Sequence, residues 1–161
     1  MNQPPASPHR RKFLVVVDRT PEHRVALRFA ARRAMHTNGI VSLLTVIPPP
    51  DKQQWSSVQA LMLDEAYEEA ESILHDAAAE LNKICGMLPE LVIREGKKRE
   101  ALLELIKQDP DISILVLASG TAREGPGPLV SAVAGDPKFA YPIPVTIVPG
   151  GLTDAEIDAL A

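Results

Sequence analysis

The sequence predicts an α/β three-layer sandwich, a five-stranded parallel sheet with helices on both faces. Three observations predict it. Apolar runs of strand length, "KFLVVVD", "IVSLLTVI" and "ISILVLAS", present no polar face, as strands buried on both sides do. Stretches with a helical period alternate with them, which implies parallel pairing through right-handed crossovers. The 161 residues hold one domain with a full core and are too few for two comfortable ones.

Residues 1–11 are proline-rich and polar and read as a disordered tail, with the domain at 12–150 and a short helical tail at 151–161. The basic cluster His9, Arg10, Arg11 and Lys12 reads as solvated. "KFLVVVD" is the first strand and ends at Asp18. In the helix that follows, Thr20 is placed to cap, and Pro21 suits the first position because its missing N–H would have no partner there. Leu27, Ala30, Ala31 and Ala34 fall at i, i+3, i+4 and i+7 and form the apolar face; Arg24, Arg28 and Arg32 line another, expected to be solvated. Asn38-Gly39 ends the helix.

"IVSLLTVI" is the second strand, stopped by Pro48 to Pro50. A long helix is expected from about Gln53 to Ile84. Ala66, Ala70, Ile73, Leu74, Ala77, Leu81 and Ile84 form its stripe, and Asp64, Glu65, Glu68, Glu69 and Glu71 form a wet face. Trp55 has no periodic partner and suits a groove or a dimer contact. "ELVIREG" is a third strand, and the helix "KKREALLELIKQD" after it is cut off by Asp109-Pro110. "ISILVLAS" is the fourth strand. Beyond its loop, Val130, Val133 and Phe139 would anchor a short helix that Gly135-Asp136-Pro137 ends or kinks. "PVTIVP" is the fifth strand, whose prolines Pro144 and Pro149 mark an edge, and Thr153 and Glu156 are spaced as a capping box.

Composition narrows the function. The net charge of −4 and pI near 5.6 lack the basic surplus of a nucleic-acid binder. The single cysteine, Cys85, rules out an internal disulfide and reads as a small buried apolar residue. No apolar run approaches membrane-spanning length and the start lacks a signal-peptide pattern, so a cytoplasmic protein with no membrane partner is expected. No catalytic or metal residue is assigned: His9, His23, His36 and His75 are scattered, and neither a nucleophile elbow nor a Gly-Lys-Ser/Thr phosphate loop is present.

In open parallel sheets ligands bind beyond the carboxyl ends of the strands, where the winding direction reverses. Five strands admit the order 2-1-3-4-5 or 3-2-1-4-5. In the second, that point lies between the first and fourth strands, and Asp18, Thr20, Val46, Ser119 and the loop around Gly120 share one rim.

The ordered set of pieces resembles the universal stress protein family. "FLVVVDRTPEHRVALRFAARRA" is similar to its opening strand, aspartate, polar turn and helix, and "VSLLTVIPPP" to its second strand. "REGKKREALLELIKQDPDISILVLAS" resembles its glycine turn, third helix and fourth strand, and "YPIPVTIVPG" its final strand. The resemblance implies a flavodoxin-like, adenine nucleotide alpha hydrolase-like fold of order 3-2-1-4-5, a place in the stress response, and homodimerisation. Members that bind ATP carry Gly-x2-Gly-x9-Gly-Ser/Thr after the fourth strand, whose amides and hydroxyl hold phosphates and ribose. The aspartate ending the first strand meets the nucleoside, and the end of the second strand lines the adenine pocket. Carried onto this chain, the implied nucleotide site comprises Val17, Asp18, Val46, Ala118, Ser119, Gly120, Thr121, Gly127, Ser131 and Ala132, with ATP and Mg²⁺ as the ligand it would take.

The family's spacing survives here and its residues do not. Ala118, Thr121 and Ser131 stand at the three glycine positions and Ala132 at the hydroxyl position, while Gly120, Gly125, Gly127 and Gly135 are out of register. Alanine allows close approach but not a positive φ, and Thr121 adds a branched side chain where the backbone should be bare. A helix starting near Pro128 would still offer free amides to an anion, and "GPGP" is either an alternative nest or a stiff turn that binds nothing. Asp18 is equally open, as a nucleoside acceptor or as the cap of its own turn through Thr20. The reading is a homodimeric binding or signalling module with a small ligand or an unknown protein partner. Its rival is an ATP-binding protein with weak hydrolase activity that uses the Gly120–Ser131 loop. The dimer is expected through the apolar edge Val145, Thr146, Ile147 and Val148, with Thr146→Pro weakening it if that amide faces the partner.

Overall fold

Strands Lys12–Val16 (β1), Ile40–Ile47 (β2), Glu90–Glu95 (β3), Ile112–Ser119 (β4) and Val145–Pro149 (β5) alternate with helices His23–Thr37 (α1), Ser56–Cys85 (α2), Lys98–Gln108 (α3), Pro128–Ala134 (α4) and Asp154–Leu160 (α5). The computed structural model describes residues 10–50, 56–121, 125–134 and 141–161. Most of the expected N-terminal tail, Trp55, Gly135-Asp136-Pro137 and Phe139 lie outside the described residues. All four strand pairings are parallel and the order is β3-β2-β1-β4-β5, the second of the two orders the strand count admits.

The two-residue period of the strands divides their side chains between two cores. Phe13, Val15 and Val17 face α1 and α2, together with Val41, Leu43, Val116 and Val148. Leu14, Val16, Leu44, Leu115 and Leu117 turn the other way, onto Leu102, Leu105 and Ile106 of α3. The apolar face expected for the first helix is buried as Leu27, Ala30, Ala31 and Ala34, and these small residues bring α1 close to the sheet. Cys85 is half-buried rather than buried, and its thiol donates to the Leu81 carbonyl.

Two further local expectations do not hold. The first helix begins at His23, with Glu22 at the N-cap position and no side-chain cap. The Thr20 amide and hydroxyl are instead donated to the Asp18 carboxylate, so this local side-chain turn captures the segment and the helix starts later. The arginine stripe of α1 is only in part solvated: Arg24 is exposed, as expected, while Arg28 and Arg32 are largely covered. Arg28 and Arg32 each grip the Asp158 carboxylate of α5 through two hydrogen bonds of 2.7–3.0 Å, and Arg24 reaches Glu80 at 3.1 Å. α5 opens with the Thr153–Glu156 capping box and plants Ile157 in the core at 1% exposure.

Among the described residues no helix is long and apolar enough to cross a membrane.

Candidate functional site

Because β1 pairs with β4, their carboxyl ends adjoin where the chain winds off in opposite directions. A cleft of about 520 Å³ opens there. It is lined by the strand ends Val16, Val116, Leu117 and Ala118, by Asp18 and Thr20, by Glu22, His23 and Ala26 at the start of α1, by Lys98 of α3, and by Gly120 with the segment Gly125–Ser131.

Asp18 organises the polar side. One carboxylate oxygen accepts the Thr20 amide at 2.9 Å and the Thr20 hydroxyl; the other accepts the Lys98 ammonium at 3.2 Å. Burial pushes the Asp18 carboxyl up, but the Thr20 hydroxyl and amide and the Lys98 charge together outweigh it and hold the group below the ordinary carboxylate value. His23 sits with Nδ1 2.7 Å from the Thr20 carbonyl, so Nδ1 carries a proton and donates it there.

The opposite wall is built by glycines that serve the loop itself. Gly120 donates its amide to the Pro126 carbonyl at 3.0 Å, and a Cβ at position 120 would stand 2.8 Å from the Gly125 carbonyl oxygen. The chain therefore folds back against the end of β4, which only a glycine permits. Gly125 and Gly127 take φ of 96° and 98°, in the region where side chains are strained. The Ser131 amide is donated to the Gly127 carbonyl at 2.9 Å. The amides at 120 and 131 are thus engaged in the loop's own bonds.

Of the residues assigned from the sequence, Asp18, Ala118, Gly120, Gly127 and Ser131 line the cleft, and Val17, Val46, Ser119, Thr121 and Ala132 do not. Val17 alternates to the other face and is buried beneath α1, where its carbonyl accepts the Thr45 hydroxyl at 3.0 Å. Val46 lies on β2, one strand away from the β1–β4 junction, and packs into the α3 core. Ser119 pairs with Pro149 and its Oγ accepts the Gly150 amide at 3.4 Å. Thr121 is exposed and packs towards Gly150. Ala132, next to Ser131 on α4, is turned away by the helix's rotation per residue.

Sequence reasoning missed Glu22, His23 and Lys98. Lys98 had a signal: "GKKRE" puts three cations at the start of a helix, the end where the macrodipole opposes them.

Solved structures share the architecture. A universal stress protein UspA from Lactobacillus plantarum superposes with a TM-score of 0.72 at 19% identity, over 86% of this chain and 97% of that one. A universal stress protein in complex with cAMP gives 0.64 at 19% identity, over 88% and 98%. One from Archaeoglobus fulgidus in complex with dAMP gives 0.59 at 22% identity, over 86% and 97%. No curated protein matches the sequence. The model of the universal stress protein family matches residues 9–149, nearly the whole sheet with its crossovers, and the chain belongs to that family.

Proposed function

We propose that this chain is a binding module whose cleft holds a small nucleotide of low charge, and that it works as a homodimer. The observation that carries the reading is the cleft at the β1–β4 junction, with the Asp18–Lys98 pair on its polar side and apolar strand ends beside it. Concave sites at this point of a parallel sheet, apolar with few converging polar groups, are where such folds take ligands. Two proteins of the same fold were solved with cAMP and with dAMP. Low charge follows from the lining, which among the described residues sets two carboxylates, Asp18 and Glu22, against one ammonium, Lys98. The amides of Gly120 and Ser131 are engaged within the loop, and Ala118, Thr121 and Ser131 replace the motif's glycines, so ATP with Mg²⁺ would not be held as the family's glycine motif holds it.

Isothermal titration with cAMP, AMP, adenosine, and ATP with and without Mg²⁺ tests the reading. We expect saturable binding of a monophosphate, tighter than ATP, and its loss on Asp18→Ala. Silence towards all five at millimolar concentration would sink it. Tightest binding to ATP with Mg²⁺, with slow phosphate release, would favour the weak-hydrolase reading instead.

The homodimer rests on β5. It is the outermost strand beyond β4, and Ile147 is 40% exposed on it. The Leu115 amide is donated to the Pro144 carbonyl at 3.0 Å, and the parallel register then aims the Thr146 amide at β4 and the Ile147 amide outwards. Position 147 is therefore the one that tests edge pairing, and Thr146→Pro would damage the monomer's own ladder.

A further inference from the structure

Among the described residues, Lys98 is the one lysine or arginine lining the cleft. It is the first residue of α3, between Lys97 and Arg99, at the helix end where the dipole disfavours cations, so helix stability gives no reason for it. Its ammonium nevertheless reaches across to Asp18, with Nζ 3.2 Å from Oδ2. Asp18 cannot swing away, because the Thr20 amide and hydroxyl hold its other oxygen. A carboxylate fixed in this way fixes the lysine in turn. An ammonium carries three N–H groups, and a single bond to Asp18 leaves capacity for a second acceptor.

The surrounding charge makes this lysine decisive. Among the described residues, the lining's fixed charges with it are Asp18, Glu22 and one cation; without it, those two carboxylates would face an incoming anion with no described lysine or arginine beside them. We infer that Lys98 is the group that reads the anionic part of the ligand, with Asp18 as its positioning residue, so that the cleft takes a phosphate-bearing nucleotide and rejects the uncharged nucleoside. The inference rests on the nucleotide reading above. It assigns the selection to α3, outside the glycine loop.

The test compares AMP with adenosine by isothermal titration on the full chain, using wild type, Lys98→Met and Lys98→Arg. Lys98 is partly exposed, so both variants should fold, and superimposable thermal melts check it. Wild type should bind AMP about tenfold or more tighter than adenosine, with the gap narrowing as salt rises. Lys98→Met should reduce the gap to about twofold through weaker AMP binding, with adenosine little changed, and Lys98→Arg should keep most of it. An undiminished gap in Lys98→Met overturns the inference while leaving the nucleotide reading intact. Wild type that binds neither compound overturns the nucleotide reading, and the inference with it.

Discussion

Asp18 serves a turn and a cleft with one carboxylate. Its place at the end of "KFLVVVD" marks it as a residue of the ligand-side rim, and its bond to Thr20 follows from the two-residue spacing. Its pairing with Lys98 does not, because eighty residues separate the two. Val17 and Val46 show the opposite case, in which correct placement near the strand ends still puts the side chain elsewhere. Gly150 gives a test at this scale. A Cβ there would overlap the Ser119 carbonyl oxygen, a backbone atom at the end of the β4–β5 ladder. Gly150→Ala should cost about 1–3 kcal/mol in urea unfolding, the usual range for forcing a group into filled space. A loss below about 0.5 kcal/mol would show that the turn relaxes freely.

The α1–α5 contact is the clearest case of one element being explained by another. The sequence shows an arginine face on α1 and an independent capping box at 153–156; only the fold joins them, across 126 and 130 residues, through Asp158. Hydrogen bonds from Arg28, opposed by burial and reinforced by Arg32, hold the Asp158 carboxyl at about 2. A depressed carboxylate stabilises the fold above its unfolded value, near 4, and that contribution disappears as pH falls from there through about 2. The protection factors of the α5 amides, taken against the intrinsic exchange rate at each pH, should therefore fall over that window before those of the sheet. Asp158→Asn should show the same local fraying at neutral pH. Unchanged exchange in Asp158→Asn would mean that Ile157 alone holds the helix. α5 lies beyond the residues that match the family model.

At the scale of the whole molecule, the strand order decides both the cleft and the proposed interface. With β1 and β4 central, their carboxyl ends meet and β5 is left at the edge. Edge strands invite pairing, and a charge on the exposed strand is the usual block. Ile147→Lys should shift the protein from dimer to monomer in light scattering, with the melting temperature of the monomer little changed, because the side chain is already 40% exposed. Wild type that remains monomeric at high concentration would remove the homodimer from the proposal, and the cleft argument would stand without it.

The sequence by itself determined the alternation of strands and helices, the burial of both sheet faces, the edge character of the last strand and the rim on which Asp18 stands. All of these follow from local periodicity, which a chain carries in its own order of residues. The tertiary structure alone decided that Lys98 meets Asp18 across the cleft and that Arg28 and Arg32 of α1 hold α5. Each of these depends on partners dozens of residues apart, whose meeting is set by how the layers pack rather than by spacing along the chain.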